Sequence, residues 1–298
     1  MSSVVLGKPE LVQSLVLALL AGEHVLLEDV PGVGKTLAAK AMALSIDGQF
    51  SRLQFTPDLL PSDITGSSIY RSDSAEFEFI RGPVFANVLL ADEINRAPPR
   101  TQSALLEAMS ESQVTTDGVT YELPDPFIVV ATQNPYEFEG TYALPESQLD
   151  RFLLRTSIGY PIRDVEREVL SSHRDGEPVD ALKSVVSVDE IRSTQAAVRD
   201  VKVEASVAEY ILDVIEGTRG KNGFEVGIST RGLLSFYRGC QAMAICQGRD
   251  YVVPDDIKQL AVPALAHRVV LSGMLHGADR RIAESRIQEL LKEVSVPV

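Results

Sequence analysis

No tryptophan occurs in this chain, and cysteine and histidine are scarce: two and four among 298 residues. Cys240 and Cys246 share one apolar stretch, so no disulfide framework can form, and a reducing cytoplasm is the expected location. His24, His173, His267 and His276 show no metal-ligand spacing and read as packed or solvated side chains. Long hydrophobic runs are missing too. None approaches the roughly 18 residues that suggest a membrane span, and no signal peptide precedes the first helical pattern, so no membrane insertion is expected. Positive charge is short: 28 Lys and Arg stand against 42 Asp and Glu, a formal net charge of −14. No Lys/Arg cluster advertises nucleic-acid binding, which weighs against that partner without excluding a local basic pore. Internal repeats, coiled-coil seams and low-complexity tracts are also lacking.

What is present is ordinary for a globular protein: 45% hydrophobic and 23% charged residues, enough to build cores without disulfides or metals. The length predicts one large domain or two unequal ones. Leu11, Leu15, Ala18 and Leu19 recur at helical spacing and predict an opening helix ending near Gly22. Short apolar runs predict strands over 25–27, 88–91 and 127–131; 53–55 reads as a further strand and 153–158 as a weaker one. Between them lie a helix from Thr36, with Leu37, Ala41 and Leu44 inward, and one opened by Pro98 and Pro99. Its inner stripe is Ala104, Leu105, Ala108 and Met109. Strands alternating with helices predict an α/β fold with a parallel sheet.

Two excursions interrupt that alternation. Asp117-Gly118 between 113–116 and 119–122 is a strong hairpin signal, and 69–71 with 77–79 bracket a weaker polar turn. After Gly159-Tyr160-Pro161 helical periodicity takes over. One helix carries Leu233, Phe236, Cys240, Met243 and Ala244 on a face; another opens at Pro254-Asp255-Asp256 with Ile257, Leu260 and Ala261 inward. The expected division is a nucleotide-binding α/β domain over 1–160 and a small helical domain over 161–298.

The chemistry concentrates at strand ends. Pro31-Gly32-Val33-Gly34-Lys35-Thr36 lies between a strand and a helix, where backbone N–H groups and the helix N-terminus can cradle phosphates. Lys35 can reach the β- and γ-phosphates and Thr36 can hold Mg²⁺. The strict pattern has glycine where this chain has Asp29. Asp92-Glu93 closes the apolar strand over 88–91, facing the ligand crevice of a parallel sheet. Asp92 can complete the Mg²⁺ shell, and Glu93 can take the proton of an attacking water. Asn134, in Thr132-Gln133-Asn134-Pro135, can orient that water, although an Asn-Pro pair also simply turns the chain.

Five stretches together resemble the MoxR family of AAA+ ATPases across nearly the whole chain. They are Glu28-Asp29-Val30-Pro31-Gly32-Val33-Gly34-Lys35-Thr36; Gln54-Phe55-Thr56-Pro57-Asp58-Leu59-Leu60-Pro61-Ser62-Asp63; Leu89-Leu90-Ala91-Asp92-Glu93-Ile94-Asn95-Arg96-Ala97-Pro98-Pro99; Ala131-Thr132-Gln133-Asn134-Pro135; and Leu144-Pro145-Glu146-Ser147-Gln148-Leu149-Asp150-Arg151-Phe152. The resemblance implies that an acid is tolerated at Asp29. It also implies a first sensor at Asn134, an arginine finger at Arg151, a second sensor at Arg231 in Ser229-Thr230-Arg231, and an adenine-pocket residue at Val5 beside Gly7. The implied nucleotide-binding set is Val5, Pro31, Gly32, Val33, Gly34, Lys35, Thr36 and Leu37. Arg96 and Arg155 are further interface candidates.

The same resemblance implies a homo-oligomeric, hexameric ring that binds ATP and Mg²⁺ between an AAA+ core and a helical lid. Such a ring remodels protein clients, with partners carrying von Willebrand factor A domains. Three other functions fit the sequence less well. A nucleic-acid motor calls for Lys or Arg at the hairpin tips, where Asp117-Gly118 and Ser72-Asp73-Ser74 stand instead. A small-molecule kinase does not account for the long stretch from Asp92 to Pro99 or the sensors. A non-hydrolysing ATP-sensing scaffold has no use for Glu93.

Overall fold

The computed structural model describes residues 1–30, 32–135, 140–172, 176–220, 222–273 and 280–297. In chain order, α1 (Pro9–Ala21) leads to β1 (His24–Glu28), α2 (Lys35–Ser45), β2 (Phe50–Gln54) and the short α3 (Pro61–Thr65). The hairpin β3 (Gly66–Arg71) and β4 (Glu76–Arg81) comes next, then β5 (Val88–Asp92) and α4 (Pro99–Glu111). A second hairpin, β6 (Gln113–Thr116) and β7 (Val119–Glu122), precedes β8 (Ile128–Gln133), α5 (Glu146–Leu149) and β9 (Phe152–Thr156). Helices then dominate: α6 (Arg163–Ser172), α7 (Val188–Arg199), α8 (Ala205–Gly217), α9 (Thr230–Cys246), α10 (Pro254–Leu265) and α11 (Arg280–Glu293).

The sheet runs in the order β2-β5-β8-β1-β9. The pairs β2–β5, β5–β8 and β1–β8 are parallel, as the unbroken apolar runs of β1, β5 and β8 predict. Leu26, Leu27, Leu89, Leu90, Val129 and Val130 are fully buried, so both faces of the central strands are covered. Register then sets up the chemistry. Glu28 stands beside Gln133, Gln54 beside Asp92, and Ala91 beside Ala131, so the carboxyl ends of four strands come level.

Strand bounds shift where the sequence pattern was weak. The second strand covers Phe50–Gln54 rather than 53–55, because this edge strand is only half-buried and its Phe-Ser-Arg-Leu-Gln run carries no continuous apolar stretch. β8 extends through polar Thr132 and Gln133 because β1 supplies ladder partners there. Among the stripe residues of α4, Leu105, Ala108 and Met109 are buried and Ala104 is half-buried, while Thr101 and Gln102 are buried too. Both hairpins form. Asp117 (φ 54°) and Gly118 (φ 78°) take the left-handed conformations that a two-residue Asp-Gly turn demands. The first hairpin is longer than its signal, pairing Gly66 with Arg81 through Arg71 with Glu76.

The chain divides into two compact units, each assembled from separated segments. One comprises Met1–Val16, His24–Tyr142 and Thr156–Arg192; the other comprises Leu17–Glu23, Ala143–Arg155 and Ser193–Val298. In the second, α9 packs closely on α10: a Cβ on Gly239 would come within 2.7 Å of Leu260. A small antiparallel pair, Phe224–Val226 with Val270–Leu271, joins these helices, too short to register against helical periodicity. Among the described residues, no helix is long and apolar enough to cross a membrane.

The second unit also buries a guanidinium. Arg268 is 3% exposed, pairs with Asp150 at 3.0 Å, and donates to the carbonyls of Ala264 at 2.7 Å and Asp150 at 3.2 Å. Burial pulls its pKa down, and Asp150 opposes that pull. Removing one partner of such a pair leaves an uncompensated charge, so Arg268→Met should cost about 3–5 kcal/mol in stability. Denaturant unfolding checks this; a loss near the ~0–1 kcal/mol of exposed pairs would show that the site hydrates freely.

Candidate functional site

The site begins where β1 hands over to α2. Gly32 (φ 83°) and Gly34 (φ 96°) hold left-handed conformations that favour glycine, and nothing lies within 4 Å of where a Cβ would stand. Gly34 is also the N-cap of α2 and supplies no side-chain cap, which leaves the first-turn N–H groups of an 11-residue helix to face an anion. Pro31 lies outside the described residues, as do His173 and His276. Lys35 is 7% exposed, and its Nζ donates to the carbonyl of Asp29 at 2.8 Å. Burial lowers its pKa, while Asp92, Asp29 and Glu93 oppose the shift. Thr36 lies in the same first turn.

The two acids occupy different surroundings. Asp92, buried at the end of β5, accepts from Thr132 Oγ1 at 2.6 Å and from Arg52 Nη2 at 2.7 Å. Glu93 has φ 57°, a left-handed conformation that costs a non-glycine residue of order 1 kcal/mol. Its N–H donates to the same Thr132 hydroxyl at 2.9 Å. Its Oε2 accepts from Gln54 at 2.7 Å and from Arg96 at 3.0 Å. One hydroxyl therefore fixes both acids, and two arginines balance them. Sequence reading missed Arg52, Gln54 and Thr132. Gln54 and Thr132 sat unexplained inside motif stretches; Arg52 had no signal.

Val4, Val5, Leu6, Leu37, Ile158 and Pro161 line an apolar cavity of about 240 Å³, with Gly32, Val33 and Gly34 on its border. That size suits one flat ring system beside the glycine loop. Val5, Gly32, Val33, Gly34 and Leu37 thus surround one space, and Lys35 shares a field with Asp92 and Glu93. Asn134 stands directly after β8, one residue beyond the Gln133–Glu28 pairing.

The second unit carries the other arginines. Arg151 stands between α5 and β9, Arg155 within β9, and Arg231 is exposed in the first turn of α9. Asp150 accepts from Ser229 Oγ at 2.7 Å, and that hydroxyl accepts from the Gly232 N–H at 2.9 Å, capping α9. One carboxylate therefore ties the segment that carries Arg151 to the helix that carries Arg231.

Comparison with known proteins fits these observations. The profile of the ATPase family associated with various cellular activities (AAA) matches residues 24–154, and that of an AAA lid domain matches residues 216–290. The chaperone MoxR1 of Mycobacterium tuberculosis is 42% identical over 303 residues, covering 99% of this chain and 80% of the relative. The chain belongs to the MoxR family of AAA+ ATPases. The uncharacterized protein YeaC of Bacillus subtilis is 48% identical, over 99% of this chain and 92% of that protein. A crystal structure from Cytophaga hutchinsonii superposes with a TM-score of 0.87 at 38% identity, over 99% of this chain and 92% of the other. The expected AAA+ α/β fold with a lid is therefore shown, within a family that includes a chaperone.

The residues also fit the ligands of such a family. An uncapped helix N-terminus, open glycine positions and a buried lysine suit a polyphosphate. Among the described residues, no three His, Cys, Asp or Glu side chains converge as a metal cage. A cation at Thr36 and Asp92 would take further ligands from phosphate and water, as Mg²⁺ characteristically does.

Proposed function

We propose that this chain binds MgATP at the α2 N-terminus, hydrolyses it, and works as a subunit of a homo-oligomeric, hexameric ring that remodels protein clients. The observation that carries the reading is the buried Lys35 ammonium at an uncapped helix N-terminus, in the shared field of Asp92 and Glu93. Backbone N–H groups of 32–37 and the Lys35 ammonium take the phosphates, while Val5 and Leu37 hold the base. Thr36 and Asp92 would hold the cation, which would neutralise phosphate charge and polarise the bond to be broken. Glu93 accepts the proton of the attacking water, and Asn134 orients that water. Arg151 reaches the site of a neighbouring subunit, and Arg231 senses the nucleotide from the lid.

The family membership of a protein named as a chaperone supports protein clients. Partners with von Willebrand factor A domains, a role in maturing enzymes or complexes, and a cytoplasmic location belong to the same proposal. A nucleic-acid motor is disfavoured, since acidic and small residues stand at the hairpin tips.

Replacing Lys35 tests the binding half of the reading. Lys35→Ala removes a charge-assisted bond contributing about 1.5–3 kcal/mol, so ATP should bind roughly 10- to 100-fold more weakly. Fluorescence titration with a labelled ATP analogue measures it. Undiminished affinity would remove Lys35 from the phosphate site.

A further inference from the structure

Asp29 occupies the position where the general phosphate-loop pattern has glycine, and its side chain is fully engaged. Oδ1 accepts from the Val30 N–H at 2.9 Å. Oδ2 accepts from two N–H groups far along the chain, Ile158 at 2.7 Å and Gly159. The Asp29 carbonyl is the same oxygen that receives the Lys35 ammonium. On the other side of this segment, Lys8 Nζ donates to the carbonyls of Ile158 at 2.6 Å and Tyr160 at 3.0 Å. Lys8, Ile158 and Pro161 all line the apolar cavity.

The segment 158–160 therefore has an unusual support. β9 ends at Thr156, so no strand ladder holds the residues beyond it. Instead a carboxylate takes its N–H groups and an ammonium takes its carbonyls. Asp29 is only 9% exposed, and a buried charge satisfied by three backbone donors gives strong, oriented bonds. Glycine at position 29 would leave the Ile158 and Gly159 donors without that acceptor.

We propose that Asp29 and Lys8 are positioning residues that clamp segment 158–160 as the base-side wall of the nucleotide site. They make binding of the base depend on the residue that anchors the phosphate lysine. This rests on the reading of the cavity as a nucleotide site. A pre-ordered apolar wall lets a flat base bind without first immobilising the chain. Releasing the wall restores backbone freedom that the ligand must then remove, which for one residue alone weakens binding about tenfold. Inorganic tripolyphosphate does not touch the wall and should not notice.

The experiment compares wild type with Asp29→Asn, Asp29→Ala and Lys8→Met, measuring ATP affinity by titration and tripolyphosphate by competition. ATP should bind about tenfold more weakly to each variant while the tripolyphosphate constant stays within twofold. Lys8→Met acts through the carbonyls of Ile158 and Tyr160 and leaves the Asp29 side chain in place, so it answers even where an Asp29 variant folds poorly. A parallel loss for both ligands would mean Asp29 merely shapes the phosphate loop, and unchanged ATP affinity in Lys8→Met and Asp29→Asn would overturn the clamp. Wild-type protein that binds neither ligand would instead sink the nucleotide reading itself.

Discussion

Glu93→Gln should bind ATP as wild type does and turn it over roughly 10²–10⁴-fold more slowly, the usual contribution of a positioned base. Glutamine keeps the length and shape of the side chain, so its amide oxygen can still accept from Gln54 and Arg96. It also keeps the left-handed backbone that Glu93 already adopts. The Thr132 hydroxyl contacts the Glu93 N–H rather than its carboxylate, so the link to Asp92 survives the change. Proton acceptance is lost, together with the negative charge that faces Arg96 and Lys35. Phosphate release measured beside nucleotide affinity separates the two. A rate within a few fold of wild type would mean that another group activates the water. The same variant, held in its ATP state, is also the form in which to capture a client.

The central strands and the Asp-Gly hairpin were legible because each rests on a local rule. Val88 to Asp92 is buried residue by residue, and Asp117-Gly118 supplies the two positive φ angles its turn needs. The placement of the glycine loop before α2 and of the acids at the end of β5 was legible for a related reason: spacing along the chain translates directly into position. What escaped was held by partners distant in sequence. Arg52 sits on a half-buried edge strand and meets Asp92 only because β2 pairs with β5. Arg268 and Asp150 are 118 positions apart, and nothing local marks either as half of a buried pair. Asp29 read as a departure from a pattern, and only the folded chain shows the Ile158 and Gly159 N–H groups it receives.

Mixing two inactive proteins should restore activity if the catalytic site is shared between subunits. Arg151 comes directly after Asp150, whose carboxylate is held by Arg268 and by Ser229, so the backbone that presents this guanidinium is fixed at its base. Such anchoring suits a group that must meet a phosphate in one geometry. An arginine finger contributes roughly 10³–10⁵ in rate, so Arg151→Ala should bind ATP normally and barely hydrolyse it. Glu93→Gln is slow for a different reason. In a mixed ring, an Arg151→Ala subunit retains its own Glu93, and a Glu93→Gln neighbour can lend it an intact Arg151. Some interfaces then recover both groups. Activity should rise on mixing, peak at intermediate ratios, and depend on total protein concentration as the subunits assemble. Rates that stay at the weighted sum of the two mutants, with co-assembly verified by pull-down of differently tagged chains, would place Arg151 outside any shared site. Loss of nucleotide affinity in Arg151→Ala alone would point the other way, to an arginine acting on the nucleotide of its own subunit.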